Sequence, residues 1–151
     1  MSINNNESER AIELTDLKKK WLNKLIEIGN MLGFTSLPEV PTNGGRVDLV
    51  WFYNFKTEIP SLGDKLPIVG FEIETSWRTR KHIKGDIFNL LELSPSHGVI
   101  LFLSEGFNDD SELYGNVEAA KKYTSGISGI CKIFIWTERN VEEIWDKLHQ
   151  R

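Results

Sequence analysis

The chain has 151 residues, 40% of them apolar and 26% charged, with a formal net charge of −4 and one cysteine. That is enough for one domain with a real core, and it excludes an internal disulfide framework; no apolar run approaches the ~18 residues of a membrane span. The acidic balance means that any contact with nucleic acid must come from a local basic patch, not from the field of the whole molecule.

Residues 1–10 are polar and include Glu7 and Glu9. They do not read as a signal peptide, and the expectation is a frayed, disordered tail ahead of a single domain over 11–151. Cys131 lies in an apolar run and reads as a small hydrophobe, which fits a reducing, cytoplasmic (intracellular) setting. Residues 14–32 form an expected amphipathic helix, with Leu14, Leu17, Trp21, Leu25, Ile28 and Leu32 at helical spacing and Gly33 as its stop. Lys18, Lys19, Lys20 and Lys24 fall largely off this stripe and read as a solvated face. Residues 35–44 read as a loop, with a short edge strand over Glu39–Thr42.

Residues 45–54 and 67–75 read as two strands of an antiparallel hairpin, joined by a polar connection over 55–66. A helix over 78–93 carries Ile83, Ile87, Leu90 and Leu91 inward. The unbroken apolar run 97–103 suits a strand covered on both faces and parallel to its neighbour. A helix over 110–124, a strand over 127–136 and a last helix capped by Asn140 complete the chain. The fold class is therefore α/β, a mixed β-sheet flanked by helices on both faces.

The chemistry concentrates in the hairpin. Glu72 and Glu74 are two positions apart and share a strand face, and parity lets Asp48 join them if it pairs near Glu74 with Val50 near Glu72. Clustered carboxylates repel one another unless a cation sits among them, and all-oxygen ligands suit Mg²⁺ or Mn²⁺. Such a metal can polarise a phosphodiester and activate water. Arg78, Arg80, Lys81 and Lys84 follow at the start of the next helix, where backbone phosphate would be held.

Arg46-Val-Asp48, Phe71-Glu-Ile-Glu74 and the buried strand Val99-Ile-Leu-Phe102 resemble the PD-(D/E)XK nuclease superfamily, whose pattern is an Asp on one strand and acidic-x-Lys on the next. The resemblance covers residues 14–103. It implies a restriction-endonuclease-like fold and a metal-dependent endonuclease hydrolysing DNA phosphodiester bonds. Asp48, Glu72 and Glu74 would be catalytic and metal-binding, and the chain would act as a homodimer. Val47 replaces the usual Pro. Glu74 replaces the usual Lys, so Glu74 would bind metal or orient water, or Lys81 or Lys84 would supply the cation. The first helix of the family often offers a further acid; Glu27 is the first choice here and Glu13 the second, and a surface role suits Glu27 equally. The alternative is a catalytically inactive nuclease-fold module that binds nucleic acid or a protein partner.

Overall fold

Alternating apolar residues at the two-residue period of a strand, and stripes at the 3.6-residue period of a helix, build a layered α/β molecule. In a computed structural model the backbone is described for residues 2–55, 63–75, 80–127 and 131–150, and the side chains for the same residues except 2–6, 80 and 81. Over these residues the order is α1 (Ser2–Met31), β1 (Thr35–Pro41), β2 (Arg46–Asn54), β3 (Lys65–Glu74), α2 (Arg80–Leu93), β4 (His97–Phe102), α3 (Asp110–Ser125), β5 (Lys132–Thr137) and α4 (Glu138–His149). The strands form one five-stranded mixed sheet in the order β1-β2-β3-β4-β5. β1, β2 and β3 are antiparallel neighbours, and β4 and β5 run parallel to β3.

Two apolar layers sandwich the sheet. Trp21, Leu25 and Ile28 of α1 and Val141 of α4 pack on Leu49, Trp51, Phe71, Ile73 and Leu101. Ile83, Ile87 and Leu90 of α2 and Ala120 of α3 pack on Val50, Ile100 and Phe102 of the other face. α1 is pinned by Trp51, whose indole Nε1 donates to Leu25 O at 3.1 Å. α2 lies close over Gly70: a Cβ there would meet Leu90 and Leu93 at 2.9 and 3.1 Å.

Several boundaries differ from expectation. α1 begins at Ser2, so residues 2–10 continue the helix instead of fraying, and Arg10 donates to Glu105 O at 3.1 Å. The edge strand is Thr35–Pro41, not Glu39–Thr42. α4 is capped by Thr137, and Asn140 is its third helical residue, with Oδ1 accepting the Thr137 N–H at 2.9 Å. Cys131 is buried and free, as expected. Among the described residues no helix is long and apolar enough to cross a membrane.

Candidate active site

The site begins where two paired strands part. The β2–β3 ladder runs from Asn54↔Lys65 to Leu49↔Phe71 and stops. Beyond it β2 stays with β1, as in Val47↔Val40, while β3 stays with β4, as in Glu72↔Ile100 and Glu74↔Phe102. Backbone N–H groups at such a fork lose their ladder partners, and leaving one buried and unpaired costs about 1–3 kcal/mol. Two carboxylates take them. Glu72 Oε1 accepts the Asp48 N–H at 3.1 Å, and Asp48 Oδ2 accepts the Ile73 N–H at 2.7 Å.

This corrects the expected register. Val50 pairs with Gly70, not with Glu72, so Asp48 lies beside Glu72 instead of beside Glu74. The described strands close tighter than expected, with Phe55 N–H donating to Asp64 O at 3.0 Å, and the ladder carries an irregularity between Trp51 and Phe52. Because the slip is two residues, parity survives and the acids still meet.

They do not meet on one face, however. Phe71 and Ile73 point to α1, whereas Gly70 lies under Leu90 and Leu93 of α2. Glu72 and Glu74 share that α2 side, since each acts on the buried Asp86 carboxyl of α2. Val47 belongs to the α2 layer and Leu49 to the α1 layer, so strict alternation fails across Asp48. Its carboxylate instead leans toward α1, where Lys18 Nζ stands 3.0 Å from Oδ1. The β1 partner is irregular at the same level. Pro38↔Leu49 and Val40↔Val47 flank Glu39, whose φ is +52°, a left-handed conformation that side-chain-bearing residues rarely adopt.

Asp86 and Lys18 are site residues that sequence reasoning missed. Asp86 is 7% exposed on α2. Positions 83, 86, 87 and 90 form the i, i+3, i+4, i+7 repeat of a buried helix stripe, so an acid at 86 was a readable anomaly. Lys18, expected on a solvated face, is half-buried at the edge of the α1 stripe.

The electrostatics follow from burial. Glu72, 4% exposed, has its pKa pushed up to about 8 by desolvation, with Asp48 and Glu74 adding repulsion against the bonds it accepts. Asp86 is pushed up to about 8, again chiefly by burial. Lys18 is desolvated too, which works against its charge, but the Asp48 carboxylate outweighs this and raises its pKa. Glu72 and Glu74 also attract its ammonium.

Four carboxyl groups thus gather around one described ammonium, three of them acting on it, and buried Asp86 Oδ2 has no hydrogen-bond partner. An all-oxygen, over-negative cluster with an orphaned oxygen fits a hard divalent cation in donor chemistry. Among the described residues, though, no three acidic, imidazole or thiol groups stand as a ready ligand set. Both Asp48 oxygens are engaged, one by Lys18 and one by the backbone.

The other expected residues are placed elsewhere or not described. Glu27 is exposed, nine residues past Lys18 and so ~14 Å further along α1, away from the cluster. Glu13 pairs with Arg10 on the surface. Lys84 is exposed and sits over the Tyr123 ring at 5.0 Å, turned toward α3. Arg78 lies outside the described residues, as do the side chains of Arg80 and Lys81.

No protein-family model, curated protein or solved structure matches the chain.

Proposed function

We propose that this protein is a metal-dependent endonuclease hydrolysing DNA phosphodiester bonds on a restriction-endonuclease-like fold of PD-(D/E)XK type. The observation that carries the reading is the meeting of Asp48, Glu72, Glu74 and Asp86 at the parting of β2 and β3, with one buried carboxylate oxygen unpartnered. Perturbed acids cluster at functional sites, where burial and like charges tune them. Asp48, Glu72 and Asp86 would hold Mg²⁺ or Mn²⁺, and Glu74, half-exposed at the strand's end, would bind it or orient the attacking water. Bound, the metal would polarise the phosphoryl oxygen and lower the pKa of its water. Lys18 brings to the site the positive charge that position 74 lacks. Two copies would pair to reach both strands of a duplex.

A second reading, a non-cleaving module on the same fold that binds nucleic acid or a protein partner, draws on Glu74 in place of Lys and on the engagement of both Asp48 oxygens. Supercoiled plasmid incubated with Mg²⁺ or Mn²⁺ separates the two. Nicking by wild type, lost in Asp48→Ala and Glu72→Ala, is the expected result. Salt-dependent DNA binding with no turnover supports the second reading, and equal cutting by the variants overturns the assignment of these acids.

A further inference from the structure

We infer that the groove between α1 and β1 seats the phosphodiester backbone of the nucleic-acid strand entering the carboxylate cluster, with Lys18 and Lys19 as its phosphate-positioning residues. This rests on the nuclease reading of the cluster.

The groove encloses about 380 Å³, and Lys18, Lys19, Thr15, Glu39 and Thr75 are among the residues that line it. Thr75 directly follows Glu74, so the groove abuts the acids. Its charged lining is Lys18, Lys19 and Glu39, and since Lys18 is paired with Asp48, the exposed Lys19 supplies the basic patch on a chain of net charge −4. Phosphate needs such a patch, because the overall field repels it.

Access points the same way. On the α2 side the cluster is closed, with Glu72 4% and Asp86 7% exposed and Leu90 and Leu93 packed down on Gly70. On the α1 side Asp48 and Lys18 side chains are 15% and 37% exposed. Lys84, the α2 cation whose side chain is described, is drawn to Tyr123 instead. Glu39 adds an independent mark. Its left-handed backbone sits at the one position, opposite Asp48, where the β1–β2 ladder skips a pair without changing register, and Glu39 lines the groove. Strain of this kind, about 1–3 kcal/mol, persists where the surroundings hold it and concentrates at ligand clamps.

Fluorescence anisotropy of a short labelled DNA duplex in CaCl₂ tests the inference. Lys18→Gln and Lys19→Gln should each weaken binding about ten-fold and reduce the slope of log K against log salt by about one, with Lys→Arg restoring both, while Lys84→Gln changes neither. A purely structural role for Lys18 would leave the salt slope alone. Lys19→Gln carries the test should Lys18→Gln melt early. Wild-type affinity and slope in both glutamine variants, in a protein that still cleaves, overturn the groove alone. A wild type that binds no duplex and shows no Asp48-dependent heat on Mn²⁺ titration overturns the groove and the nuclease reading together.

Discussion

Glu72 of β3 and Asp86 of α2 are interacting carboxyls in the interior, one 4% and the other 7% exposed. Burial disfavours the charged form of each, so in the absence of a cation the pair retains protons well above the ordinary carboxylate range.

Stability of the metal-free protein should therefore fall as pH rises. In the unfolded chain these acids lose their protons near 4.5 and 3.8; folded, they hold them to about 8. Between those values the native state binds more protons, so its stability declines with pH and the loss is complete above about 8. Thermal melting from pH 5 to 8.5 should show a steadily falling Tm, with each ~1 kcal/mol moving it by about 2–4 °C. Asp86→Asn should flatten the profile; an unchanged slope contradicts the buried pair.

Mn²⁺ added at pH 8 should reverse that loss. Binding to the folded state alone adds RT ln(1 + [L]/Kd), about 2.7 kcal/mol at a hundred-fold excess over Kd. Calorimetry should give a site that releases protons and weakens ten-fold or more in Asp86→Asn and Asp48→Asn. No shift in Tm with Mn²⁺ counts against the metal.

Gly106→Ala should damage the site from behind. A Cβ at Gly106 would lie 1.7 Å from Thr75 O, a backbone atom that cannot rotate away. The end of β3, with Glu74, must move. A cost of roughly 1–3 kcal/mol is expected from such overpacking, read as a lowered denaturant midpoint. Gly126→Ala, with open space around the added carbon, is the control and should change little.

Lys18→Met should cost less stability than its position suggests, about 1 kcal/mol or below, because the pair is partly exposed and Asp48 keeps the Ile73 N–H. Asp48→Ala should cost more, since it orphans that N–H and strips Lys18 of its partner. Chemical denaturation of the two variants ranks them; the reverse order contradicts the fork geometry.

The amino-acid order alone determined the elements and the layering. Period-two and period-3.6 patterns report locally on which side chains seek cover, so strands at 46–54 and 65–74 and a buried strand at 97–102 were legible to within a few residues. It also placed Asp48, Glu72 and Glu74 near one sheet end, because a two-residue slip leaves them at the same end of paired strands; the single face expected from parity did not hold, since alternation fails across Asp48. Tertiary structure decided the rest. Lys18 and Asp48 are 30 positions apart, and no local pattern encodes a contact made only when α1 packs on the sheet. Asp86 sat visibly in a buried stripe, yet which acids it would meet depended on how closely α2 settles over Gly70. The parting of β2 from β3, which turns Asp48 toward α1, arises from competition among three strand partners, and that is a property of the assembled sheet.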